Sequence, residues 1–300
     1  MAWYERDYNR AGGYGGGGFG GAVRGQLAGA PVTLWLIIIN FIVLVINAIL
    51  TGSSRGDALS PRHWGNFNIN DAISHLQLWR WVTYQFLHAG FFHLAFNMIA
   101  LYFFGPLLEA WWGHRRYLAF FLICGSCGAF FYTLLAFVPD LLRVDPNTPL
   151  MGASGSLFGI LVGCAVLYPH HRVMLLFPPI PMTMRTLALI ILGIATFSLL
   201  AGSPNAGGEA AHLGGGILGF VLIKNPRFLG FAERIGTGWF KQVPLRRSQH
   251  KAQQQHHLTD SEQAKVDRIL DKVREHGMHS LTSREKRTLK HATDRRRHVG

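Results

Sequence analysis

The run from Leu34 to Leu50, LWLIIINFIVLVINAIL, contains no charged residue. A helix of about 20 apolar residues crosses the hydrocarbon core of a bilayer, and this run has nearly that length. Five more apolar stretches follow it. Together the six run from Pro31 to Leu50, Gly90 to Leu108, Tyr117 to Val138, Gly152 to Tyr168, Met182 to Ala201 and Ala206 to Ile223. Only helices or closed barrels satisfy their backbone inside lipid, so the pattern predicts an all-α membrane protein with six transmembrane helices. Composition agrees, with 49% hydrophobic and 15% charged residues against about 25% charged in a soluble domain. The sixth stretch is glycine-rich and carries Glu209 and His212. An ionisable group at membrane depth is costly and marks a function or a partner.

Charge sets the orientation. With six spans, the amino terminus, the loop with Arg115 and Arg116, the loop with Arg172 and Arg185, and the tail share one side. Of 29 Lys and Arg residues, only Arg55, Arg62, Arg80 and Arg143 fall on the other. The positive-inside rule then puts both termini in the cytoplasm. No apolar core precedes Pro31, so the first span is expected to act as its own targeting signal.

Four regions are expected: a disordered Gly-rich terminus (1–30), a six-helix membrane domain (31–225), a basic Gln/His-rich linker (226–257) and a small cytoplasmic helical region (258–300). In the last, Val266, Ile269, Leu270 and Val273 recur at helical spacing, and Thr282 and Glu285 are spaced as a capping box, which together predict a helical hairpin. Of the formal charge of +13, +10 lies in the tail from Lys224 onward. No nucleic-acid motif accompanies it, so anionic lipid or a cytoplasmic protein is the expected partner rather than DNA or RNA.

The polar residues of the apolar stretches gather at one depth. The second stretch opens HAGFFHLAFN, with His88, His93 and Asn97; the fourth opens at Gly152 and Ser154; the sixth holds His212. In the six-span topology these three helices run in the same direction, so their first turns share a layer. His93 and Asn97, four residues apart, share a helix face. Gly155, Gly159 and Gly163 form one small-residue stripe, and Gly215 and Gly219 another, so the fourth and sixth helices can approach closely. Many such stripes only pack helices. Here a histidine and a serine sit at their ends, and a serine beside a neutral imidazole is the minimum for nucleophilic catalysis. Donors for an oxyanion are available in His93, Asn97 and the Ser154 backbone N–H. Glu209, three residues before His212, could orient the ring. Nothing in the sequence requires it, and the site reads as a Ser–His dyad.

HAGFFHLAFN, GASG and AHLGGGILG, in that order, resemble the rhomboid family of intramembrane serine proteases. The family's HxxxxHxxxN pattern falls on His88, His93 and Asn97, its GxSG on Gly152, Ser154 and Gly155, and its AHxxGxxxG on Ala211, His212, Gly215 and Gly219. Trp79-Arg80 resembles the family's Trp-Arg pair, and Glu109 its acidic residue after the second span. Phe158 departs from the tyrosine of some members but keeps a ring able to stack on His212. The resemblance covers about residues 30 to 225. It implies a serine endopeptidase that cuts single-span membrane proteins near the outer leaflet, in a bacterial inner membrane, without cofactor or metal.

Other readings of these residues are weaker. Ser156 points away from Ser154 on a helix. His88 and His93 lack a third zinc ligand, and His88 is expected to support its loop by hydrogen bonding. Cys124 and Cys127 form a CxxC inside a span, where they pack as small apolar groups. Trp79-Arg80 serves equally as an interfacial anchor or as part of the site. Glu109 reads as a structural acceptor. A channel would spread polar groups through the bundle. A non-catalytic member of the same fold, guiding membrane clients, would lack Ser154 or His212.

Overall fold

The computed structural model describes residues 27, 29–51, 56–138, 145–175, 179–233, 268–283 and 285–289. The expectations for the Gly-rich residues 1–26, for the linker beyond Glu233 and for the tail before Arg268 lie outside them. The chain divides into two compact units, Met1–Gln242 and Val243–Gly300.

The first unit is built on α1 (Pro31–Thr51), α2 (Phe91–Trp112), α3 (His114–Ala136), α4 (Ser154–Leu167), α5 (Met184–Leu200) and α6 (Ala206–Lys224). α1, α2, α3 and α6 are long and apolar enough to cross a membrane. α4 and α5 are apolar but shorter, at 14 and 17 residues. At about 1.5 Å per residue, α4 reaches about 21 Å. Many large apolar side chains face outward, among them Phe41, Phe92, Phe96, Ile194 and Phe197. Such a surface suits lipid rather than water. This is a helical membrane protein.

A single carboxylate ties α1 to α2. Pro31 opens α1, and the next two backbone N–H groups, which have no partner within the helix, donate to Glu109 (Val32, 2.9 Å; Thr33, 2.8 Å). The Thr33 hydroxyl donates to the same carboxylate at 2.7 Å, and His114 Nδ1 lies 2.6 Å from it. Glu109 is thus the buried structural acceptor expected from the sequence, and these contacts offset its desolvation. α2 and α3 meet at one residue, Gly113, whose φ of +74° only glycine adopts without strain.

Between α1 and α2, short helical turns (Pro61–Gly65, Asn70–Ser74, Arg80–Phe86) wrap around one buried guanidinium. Arg80 pairs with Asp71 at 3.0 Å and donates to the Asn66 carbonyl (2.6 Å), the His63 carbonyl (3.1 Å) and Gln77 Oε1 (2.7 Å). The Asn68 amide, then His75 and Arg80, hold the Asp71 carboxyl below its ordinary range against the opposing effect of burial. Trp79 Nε1 donates to the Trp64 carbonyl. The Trp79-Arg80 pair therefore builds this loop. The loop is joined to the segment before α4 by a two-way bridge between Phe67 and Leu150.

One feature departs from an all-α fold. β1 (Arg172–Met174) and β2 (Pro181–Thr183) pair antiparallel in the α4–α5 connection, with Arg172 opposite Thr183. Its run of apolar residues and prolines resembles a span end in sequence, and the alternation is too short to reveal strands.

α6 packs between α3 and α4. The glycine stripes explain how closely. A Cβ on Gly215 would overlap the Gly155 carbonyl, and one on Gly219 would lie 2.6 Å from Gly159 Cα. Gly163, third in its stripe, meets the Ile223 side chain instead. Cys124 is buried against Gly159, and all three cysteines are free thiols.

In the second unit residues 268–276 are helical. The capping box is formed: Thr282 N–H donates to Glu285 Oε2 (2.7 Å), and Glu285 N–H donates to Thr282 Oγ1 (3.3 Å). Lys272 adds an ion pair at 3.1 Å. Thr282 foremost, then Lys272, holds the Glu285 carboxyl down at about 2.

Candidate active site

α4 begins at Ser154, α6 carries His212 at its second turn, and the glycine contacts bring these two starts together. Ser154 Oγ lies 2.8 Å from His212 Nε2. On the other side of the ring, Nδ1 lies 3.0 Å from Glu209 Oε2, and Asn205 Nδ2 donates to Glu209 Oε1 at 3.3 Å. A carboxylate on Nδ1 favours the tautomer with its proton there, which leaves Nε2 as an acceptor for the serine hydroxyl. Phe158 stacks on the imidazole with centroids 4.2 Å apart and planes within 9°. The ring is thus held at both nitrogens and along one face. Ser154 and His212 are half-buried, open enough for a substrate to reach them.

The turn before Ser154 is strained in a useful way. Gly152 has φ +133°, and its N–H donates to the Tyr84 carbonyl at 3.0 Å. A Cβ there would lie 2.9 Å from His93 Nε2, so glycine also admits the histidine. Ala153, the cap of α4, gives no side-chain hydrogen bond. The first backbone N–H groups of that helix therefore remain available to an anion. Asn97, one turn along α2 from His93, is buried, and its Nδ2 donor has no partner among the described residues.

Ser156 is the rejected nucleophile. It is fully buried, with Oγ donating to the Phe121 carbonyl (2.7 Å) and 3.0 Å from Gln85 Oε1. His88 corrects an expectation: neither ring nitrogen has a hydrogen-bond partner among the described residues. Its contact is an edge-to-face packing on His93, at 5.0 Å between centroids. Two supporting residues were not foreseen. Tyr84 donates its hydroxyl to the Gly125 carbonyl at 2.6 Å while its carbonyl holds Gly152. Gln85 donates to the Leu122 carbonyl and reaches Ser156. Both stand in an apolar run, where an aromatic reads as packing and a lone amide carries no spacing signal.

These features coincide with a known family. A rhomboid domain model matches residues 75–224, and the chain belongs to the rhomboid family. Residues 249–293 match a family of unknown function, DUF6576. The chain is similar to mitochondrial Rhomboid protein 1 of Saccharomyces cerevisiae, 34% identical over 45% of this chain and 38% of that protein. It is similar to Rhomboid protease GluP of Bacillus subtilis, 30% identical over 67% of this chain and 36% of GluP. RHOMBOID-like protein 7 of Arabidopsis thaliana is 27% identical over 59% of this chain and 51% of its own length. The chain thus spans about half the length of these relatives, or less.

Proposed function

We propose that this protein is an intramembrane serine endopeptidase acting on single-span membrane proteins. The observation that carries the reading is the 2.8 Å contact between Ser154 Oγ and His212 Nε2 at the starts of two tightly packed helices. Ser154 attacks the scissile carbonyl while His212 Nε2 takes the hydroxyl proton. The oxyanion is met by the Ser154 N–H, His93 and the Asn97 amide. His212 then returns the proton to the leaving amine, and a water molecule, deprotonated by the same ring, releases the acyl-enzyme. Glu209 holds Nδ1 throughout. All six helices cross the membrane in this account, with both termini in the cytoplasm of a bacterial cell. Access to the site is from the outer leaflet.

The similarity to the protease GluP supports the same reading. The competing one, a non-catalytic rhomboid-like protein that binds and guides clients, has no need of a serine and histidine in hydrogen-bond contact. The purified full chain in detergent should cleave a model transmembrane substrate, and Ser154→Ala should abolish cleavage. Equal cleavage by Ser154→Ala would overturn the proposal.

A further inference from the structure

We propose that a cleft beside the active site is a binding site for the phosphate of an anionic phospholipid headgroup. The cleft, of about 750 Å³, lies between the end of α1, the loop turns and the start of α2. Among the described residues its polar side chains include Asn47, Arg62, His63, Asn66 and His88, and no carboxylate lines it. Three observations point to an anion. Gly90 and Phe91 line the cleft at the start of α2, a 22-residue helix with no side-chain cap, so its first N–H groups and positive dipole end face this region. His88 is 5% exposed, and neither of its ring nitrogens has a partner among the described residues. A buried polar group without a partner is costly and is satisfied by a ligand that accepts from it. The Arg62 guanidinium is exposed and has no ion-pair partner among the described residues, and Arg is well suited to phosphate.

The surroundings favour a lipid over a soluble phosphate. Leu44 and the strongly exposed Phe91 line the cleft, which gives acyl chains an apolar wall below the headgroup. Trp64, two residues after Arg62 and exposed, fits the interfacial zone where Trp and Arg are enriched. The cleft also communicates with the catalytic side. His88 packs edge-on against His93, and Ala89 N–H donates to His93 Nδ1 at 3.4 Å, so an occupant orders the segment that carries His93 toward Gly152.

Native mass spectrometry of the full chain in detergent tests the site without reference to activity. The probes are phosphatidylglycerol, diacylglycerol with the same chains, and inorganic phosphate. One phosphatidylglycerol should bind in preference to diacylglycerol and resist millimolar phosphate. Arg62→Ala should weaken it about tenfold, the size of one charge-assisted hydrogen bond. Arg62→Lys should recover part of that loss, and Arg172→Ala, remote in the β-hairpin, should cause none. Asn47→Leu narrows the cleft by another route and should weaken binding if Arg62→Ala does not fold. Equal binding of diacylglycerol, or binding unchanged in both Arg62→Ala and Asn47→Leu, would overturn the site. Displacement by phosphate at equal concentration would overturn the lipid as its occupant.

Discussion

At the residue scale, the imidazole of His212 decides what the site can do, because both of its nitrogens and one of its faces have a named contact. Glu209 is the contact whose role the sequence left open. Replacing it with Gln keeps the size but permits the amide nitrogen to face Nδ1 and stabilise the wrong tautomer. In a buried triad the corresponding change costs about 10⁴ in turnover. Glu209 is part exposed, so the expected loss in kcat for Glu209→Gln is about 10- to 100-fold, with KM and thermal stability unchanged. Glu209→Asp should retain more activity than Glu209→Gln. A Gln variant with full kcat would confine the chemistry to the Ser154–His212 dyad, with no part for Glu209. Asn97→Ala removes a buried donor that has no partner among the described residues. Loss of one oxyanion donor costs about 10² to 10³ in kcat, or about 3 to 4 kcal/mol. An intact kcat with a collapsed melting temperature would make Asn97 a packing residue.

At the scale of elements, catalysis depends on how closely α4 and α6 approach. Gly219→Ala places a methyl group against Gly159 Cα, where backbone cannot yield without moving the helix. The variant should melt at lower temperature and lose turnover, because the same displacement separates Ser154 from His212. Gly193→Ala in α5 is the control, since a Cβ there meets nothing within 4 Å and leaves both properties intact. Equal effects of the two substitutions would show that helix content, not close approach, is what glycine supplies. These stripes were legible in the sequence because glycine spacing reports backbone proximity directly. The helices themselves were legible because lipid forces continuous apolar runs. What was hidden lies in the loops. Arg80 gave no sign that it would gather Asp71, Asn66, His63 and Gln77, since those contacts span up to 17 positions with no periodicity. The β-hairpin was hidden for a related reason, being too short for alternation to show. The pairing of Ser154 with His212 was inferred from shared depth, and the 58 positions between them were bridged only by assuming the packing of two helices.

For the whole molecule, every residue given a chemical role lies before Asn225, and the chain beyond Gln242 forms its own compact unit. A chain truncated near Lys241 should therefore cut a detergent-solubilised substrate at an unchanged rate. Loss of that activity would make the tail part of the catalytic core. The proposed tail partners are anionic lipid or a cytoplasmic protein, and only the first predicts vesicle binding by the full chain that weakens with salt.

The central claim is that Ser154 is a nucleophile activated by His212, and labelling tests it without knowledge of the natural substrate. The full chain in detergent is treated with a fluorophosphonate, digested, and the modified peptide mapped by mass spectrometry. The adduct should sit on Ser154 of the unaltered chain and disappear in His212→Ala, with that variant still melting cooperatively. An adduct on Ser156, an adduct on Ser154 that persists in His212→Ala, or a folded chain that takes no label would contradict the claim.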